Sequence, residues 1–420
     1  MAKSHVRKLF IIFGALYFVQ GMGEPTAGLL SQPIRSMLKG WDYDTAGIAT
    51  FMFLLGFPWY IKPVFGLITD FIPIRGFRRK SYLILSSSLM IAGYLAATFL
   101  PLSPAFGTVI LIMLLFPCFG VAFKDVTTDA AMIEAGQPLG LTGRIQSAQW
   151  GSIYAAGMLC GVIGGWISQH GLQRLGFLIA ALLGIVALYI AIFHIKETPR
   201  PELQRGQLKR AVKVLGKAAR TRIVILVAVF YLLVNFNPFS WDVLYVHMTT
   251  ELGFSEQFLG FTYTLNSAAA IISCILYGMF AKRVPLRLLL HGSVLFMVLS
   301  KLIYIGLGSE TSAIIISLAW GLIYMVTNLT QLELAGRYCP PEAAGTVFAL
   351  LMSLSNLSVG LSSILGGSFY EAWKPVWGTD TTFTVLVLIA AGFTALCWLL
   401  VLFFPKSHSE TDQPVNSIAD

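Results

Sequence analysis

The sequence predicts an all-α polytopic membrane protein with twelve transmembrane helices in two six-helix repeats, and three observations predict it. Of 420 residues 56% are hydrophobic and only 12% are charged, about half of the ~25% usual in soluble domains. A soluble core of this size needs a polar shell that this composition cannot supply. Twelve apolar runs each approach or exceed the ~20 residues that cross a bilayer as a helix. Finally, Lys and Arg are strongly one-sided: of 29, 22 fall on the side of the N-terminus and the even-to-odd loops and 4 on the other, counting those in a span's first three residues with the adjoining loop. That asymmetry puts both termini in the cytoplasm. It also accounts for the formal charge of +9 as a topology signal, so nucleic-acid binding is not expected.

The spans are read at 9–34, 45–70, 81–101, 106–133, 145–168, 172–193, 222–248, 255–280, 285–306, 311–336, 344–369 and 381–404. The first has no small-residue cleavage site and reads as a retained helix rather than a signal peptide. With no transit-peptide-like extension, a bacterial inner membrane is the expected location. Span 2 contains Lys62, which costs roughly 2.5–3.5 kcal/mol in a bilayer and therefore needs a partner or a watery cavity. It ends in the basic turn Arg75-Gly76-Phe77-Arg78-Arg79-Lys80. Spans 1 and 7 carry Gln20-Gly21-Met22-Gly23-Glu24-Pro25 and Asn235-Phe236-Asn237-Pro238-Phe239-Ser240-Trp241-Asp242. In each, a proline beside polar residues frees backbone groups and bends the helix where a ligand could bind. Cys118, Cys160, Cys274, Cys339 and Cys397 have no metal-ligand spacing and read as packing. Neither a metal nor another cofactor is expected.

Residues 196–221 separate a six-span bundle, 1–195, from a second, 222–405, followed by a tail at 406–420. Leu208, Val212, Leu215 and Ala219 share a helical face among basic residues, which suggests an amphipathic helix on the anionic leaflet; a flexible charged linker is the other reading. The halves repeat weakly but in order. Gly40-Trp41…Gly47 recurs as Gly253-Phe254…Gly260, Gly66-x-x-x-Asp70 as Gly278-x-x-x-Lys282, Gly143 as Gly345 and Gly164-Gly165 as Gly366-Gly367. Parallel six-helix repeats with a solute site between them are a transporter architecture.

Gly66…Asp70…Arg78-Arg79-Lys80 resembles the loop motif between helices two and three of the major facilitator superfamily. Three longer segments resemble the folate–biopterin transporter family: Pro58 through Arg79, Glu251 through Gly260 with Val284-Pro285-Leu286-Arg287, and Cys339-Pro340-Pro341 through Ser353. The resemblance implies that spans 1, 4, 7 and 10 line a central cavity. It also implies a secondary carrier of a folate- or pterin-like organic anion.

Charges concentrate on those four spans: Glu24, then Lys124, Asp125, Asp129 and Glu134, then Asp242, then Glu333. Facing lipid they would have no water, so they line a polar cavity or pair with one another. Asp125 and Asp129 share a helical face. Two carboxylates one turn apart in low dielectric resist ionising together, leaving one that takes and releases a proton near neutral pH. Asp129 is the first candidate for proton coupling, with Asp125, Glu24, Asp242 and Glu333 behind it; a fixed salt bridge to Lys62 or Lys124 is the competing reading. Lys62 and Lys124 are candidates to hold a cargo carboxylate, or to serve only as internal counter-ions. Gln20, Asn235 and Asn237 offer polar contacts, and Trp59 and Trp241 offer faces for a pterin ring. Gly66, Asp70, Arg78 and Arg79 are expected to gate the cytoplasmic face. Glycines in spans 5 and 11 allow close helix approach where the halves meet.

No G-x-x-x-x-G-K-[ST] motif couples ATP. The expected partners are a small-molecule substrate, protons and the bilayer, with the protein acting as a monomer. Other cargoes (a peptidoglycan fragment, a nucleoside, a drug) remain open at this stage. So does, remotely, a prenyltransferase-like enzyme holding magnesium on Asp125, Asp129 and Glu134.

Overall fold

The computed structural model describes residues 2–139, 141–199, 205–280, 283–338 and 344–404; Lys282, Cys339-Pro340-Pro341 and the tail 406–420 lie outside the described residues. The chain is helical throughout: α1 (Ala2–Gly23), α2 (Ser31–Lys39), α3 (Thr45–Leu55), α4 (Phe57–Tyr60), α5 (Lys62–Phe71), α6 (Lys80–Phe99), α7 (Gly107–Gly136), α8 (Thr142–Gln169), α9 (Gln173–Phe193), α10 (Arg205–Ala219), α11 (Arg222–Asn235), α12 (Trp241–Val246), α13 (Glu256–Phe280), α14 (Leu286–Leu302), α15 (Glu310–Tyr338), α16 (Ala344–Trp377) and α17 (Thr379–Val401).

Among the described residues, ten spans contain a helix long and apolar enough to cross a membrane. Spans 2 and 7 are assembled from shorter pieces. Span 2 is α3, α4 and α5 in series: Pro58 and Pro63 each lack the N–H that would continue the ladder, and the chain leaves helical geometry at Ile61 (φ −110°, ψ 18°). Span 7 stops at Asn235, runs extended through Phe236 (φ −68°, ψ 110°), resumes as α12 and ends in a π-turn over His247–Glu251. Span 1 is likewise interrupted after Gly23 and continues as α2. Its bend depends on Gly28, where a Cβ would meet three carbonyl oxygens at 2.6–2.7 Å.

The break in span 7 exposes carbonyls that helix geometry leaves without partners. Lys301 of α14 fills the gap. Its Nζ donates to Thr394 Oγ1 at 2.7 Å, Phe236 O at 3.0 Å, and Val234 O and Ala390 O at 3.4 Å. A buried ammonium therefore caps the negative end of α11 without a carboxylate.

The halves meet along α8 against α13 and along α3 and α5 against α16. Glycine makes that approach possible: a Cβ on Gly161 would lie 2.4 Å from Gly260 O, and one on Gly367 would lie 2.9 Å from Thr45 O. The linker forms the helix α10, packed against α5 and α16 at one end of the molecule. That end also carries the Arg75–Lys80 turn and is the basic end of the molecule.

Candidate functional site

Between the halves lies a cavity of about 1090 Å³ that reaches Asp70, Gln146, Leu332 and Thr346 at the basic end. Its wall from the first half is charged. From α7, Asp125 accepts a hydrogen bond from Gln20 Nε2 at 2.5 Å and an ion pair from Lys62 Nζ. One turn on, Asp129 accepts from Tyr17 OH at 2.6 Å and Gln149 Nε2 at 3.1 Å, both neutral donors. Glu24 sits at the break in span 1, where it accepts from Trp59 Nε1 at 3.0 Å, Thr26 Oγ1 at 2.8 Å and the Ala27 N–H. The Lys62 ammonium lies 5.1 Å above the Trp59 ring, so that face is already occupied by a cation.

The wall from the second half is nearly uncharged. Its one charged side chain among the described lining residues is Asp242, and that carboxylate is spoken for. Arg35 Nε holds it at 2.7 Å, and Ser363 donates to its other oxygen. Around this pair the end opposite the basic turn is closed: Gln32 donates to Glu256 at 2.8 Å, Lys39 reaches Glu256 at 3.5 Å, and the Thr45 N–H donates to Glu371 at 3.0 Å. Each of these contacts joins one half to the other.

At the basic end no ion pair among the described residues joins the two halves. Arg79 bridges Asp70 at 2.7 Å and Glu134 at 2.9 Å, while Glu197 caps the start of α6 by accepting from the N–H groups of Arg78, Arg79 and Lys80 at 2.7–2.9 Å. Among the described residues, the ion pairs between halves, Arg35–Asp242 and Lys39–Glu256, are all at the opposite end. The molecule is open at the basic end and shut at the other.

The structure thus brings together Gln20, Glu24, Trp59, Lys62, Gly66, Asp125, Asp129, Asn237 and Trp241 on one cavity. Five sequence candidates are not among its lining residues: Lys124, Asn235, Glu333, Arg78 and Arg79. Lys124 points out of the cavity into the bundle, because the residue next to Asp125 on a helix faces about 100° away; it is 1% exposed, and its Nζ has no hydrogen-bond partner among the described residues. Asn235 is bonded to Gln331 at 2.9 Å and Glu333 to Tyr277 and Arg337 at 2.9 and 2.8 Å, all outside the cavity lining. Asp242 lines the cavity but is held in the closed end. Arg78 reaches Glu134 at 3.6 Å. Glu134 is therefore engaged by arginines, and no group of three metal-ligating side chains occurs among the described residues. Residues missed from the sequence include Tyr17, Arg35, Gln149, Trp320 and Tyr324. The last two could have been found, since Ser317, Trp320, Tyr324, Asn328 and Leu332 repeat at helical spacing along α15 and all line the cavity.

Two bundles of transmembrane helices around a central cavity open at one end define a membrane transporter of the major facilitator fold. The fold is shared with a D-xylose-proton symporter, at a TM-score of 0.69 with 13% identity, covering 94% of this chain and 97% of that one. A folate-biopterin transporter from Synechocystis sp. is 32% identical over 403 residues, covering 93% of this chain and 79% of its own. A probable folate-biopterin transporter 4 from Arabidopsis thaliana is 24% identical, covering 84% of this chain and 89% of its own. The BT1 family profile matches residues 27–416, and the chain belongs to the BT1 family. Membership sets the prenyltransferase reading aside: this is a transporter, not an enzyme.

Proposed function

We propose that the protein is a proton-coupled secondary carrier of a folate- or pterin-like organic anion, working by alternating access as a monomer in a bacterial inner membrane. Both termini and the basic end would then face the cytoplasm, making this the inward-open form. Two bundles, 1–195 and 222–405, joined by the linker 196–221, are the bodies that rock. The names of the relatives support the cargo class.

The observation that carries the coupling is a charge imbalance. Among the described lining residues, Glu24, Asp125 and Asp129 share the cavity with one ammonium, Lys62, which is paired with Asp125, while the other cation, Arg35, is held by Asp242. An anionic cargo can take Lys62 only if Asp125 is neutralised. Asp129 lies one turn away with only neutral donors and is the natural proton store. In the proposed cycle Asp129 takes a proton from the open side and passes it to Asp125, Lys62 is released to the cargo carboxylate, and the proton gained offsets the charge of the anion bound. Proton and anion then bind cooperatively, each strengthening the other by the same factor.

The test is counterflow in proteoliposomes with labelled folate, a reduced pterin and unrelated anions, with and without a pH gradient. Accumulation of folate or pterin driven by an inward proton gradient is expected. Exchange of folate that ignores the gradient would remove the coupling, and preference for an unrelated anion would remove the cargo assignment.

A further inference from the structure

We propose that α15 carries the subsite for the flat ring of the cargo, on Trp320 and Tyr324, so that the cargo spans the cavity from a charged wall to an aromatic one. The assignment rests on the folate or pterin reading and specifies where the bicyclic ring lies.

Trp320 and Tyr324 are near-parallel, with centroids 5.9 Å apart and planes 16° from each other. Both are half-buried and line the cavity. Beside them on the cavity wall, Phe239 and Tyr304 are 2% and 7% exposed and meet the Trp320 ring edge-on, at 6.3 Å and 70° and at 5.5 Å and 82°. An indole pinned by two edges and a neighbouring ring has little rotamer freedom left to lose, which favours stacking over collapse. Nor is its face covered by a cation, in contrast to Trp59 under Lys62.

The rim of this wall is made of neutral amides. Asn328, one turn beyond Tyr324, and Asn266 of α13 both line the cavity. A carboxamide offers a donor and an acceptor side by side, which matches the amino and oxo edge of a pterin without needing charge. Since the one charged residue among the second half's described lining residues is bound to Arg35, the carboxylates of a folate are left to Lys62 on the facing wall. A ring with a charged tail fits this division; a small polyanion without a ring does not.

The experiment is equilibrium binding to the full-length purified protein with three labelled probes: folate, a pterin lacking the tail, and p-aminobenzoylglutamate, the tail lacking the bicyclic ring. Trp320→Leu should weaken folate and pterin by about ten- to a hundredfold, the range for loss of one stacked heterocycle, and leave p-aminobenzoylglutamate within about threefold. Trp320→Phe should restore most of the loss, and Lys62→Met should show the reverse pattern, sparing the pterin. Retained binding of the tail probe certifies that the variant is folded. Should Trp320→Leu lose all three probes, Tyr324→Leu is read in its place with the same expectation. Parent-like affinity of both variants for the pterin overturns the subsite while leaving the carrier reading intact. Failure of the parent protein to bind any of the three overturns both.

Discussion

Asp125 and Asp129 are the same residue type one turn apart, and only their partners separate them. The sequence was enough to place both on one face and to name Lys62 as a partner, because helical spacing and the cost of a membrane charge are local facts. It could not choose between Lys62 and Lys124, since that depends on which way α7 is rotated in the bundle. For the same reason Tyr17 and Gln149, from α1 and α8, were invisible. The pairing leads to two predictions. Asp129→Asn should abolish gradient-driven accumulation yet keep exchange, because the neutral amide can still meet Tyr17 and Gln149 but cannot carry a proton; unchanged accumulation in protein that inserts normally would remove Asp129 from the cycle. In the parent protein, anion binding that takes up one proton should tighten as pH falls, by up to about tenfold per pH unit. Folate affinity that is flat between pH 5 and pH 8, measured by equilibrium binding, would contradict this. The sign follows from linkage: the bound state holds the extra proton, so acid favours it.

At the scale of elements, hydropathy located the spans but not their breaks. Span 2 reads as one apolar run, yet it is three helices, because two prolines remove donors that hydropathy does not weigh. The prolines themselves were legible, and the bends at spans 1 and 7 were expected from them. What could not be read was the compensation. Lys301 sits 65 residues from Phe236 in sequence, too far for helical spacing to pair them. Removing the ammonium leaves buried carbonyls at the end of α11 without donors, at about 1–3 kcal/mol for each group left unsatisfied. Lys301→Met should therefore lower the unfolding temperature in detergent by several degrees while leaving the affinity of any cargo that still binds close to that of the parent. A variant as stable as the parent would show that the break in span 7 holds itself together.

At the scale of the molecule, the two ends differ in what joins the halves. Asp70 and Arg79, expected to gate the cytoplasmic face, are bonded to each other and to Glu134 within one half, so in this form they brace a bundle rather than tie two. Among the described residues the ion pairs that span the halves are at the other end, and the repeat pattern could not have disclosed them: Arg35 and Asp242 are 207 residues apart, and neither occupies a repeated position. Their side chains are 5% and 6% exposed. Breaking one partner of such a buried pair costs about 3–5 kcal/mol because the other charge is stranded. That cost falls only on the form in which the ends of α2 and α12 touch. Arg35→Gln should accordingly move the equilibrium toward the form open at this end by about a hundredfold or more, seen as faster labelling of a cysteine placed at Ser240 and slower turnover. The double variant Arg35→Gln/Asp242→Asn removes the stranded charge and should return labelling part of the way to the parent rate. Equal labelling in parent and Arg35→Gln protein would mean that the pair packs the closed end without setting which end is open.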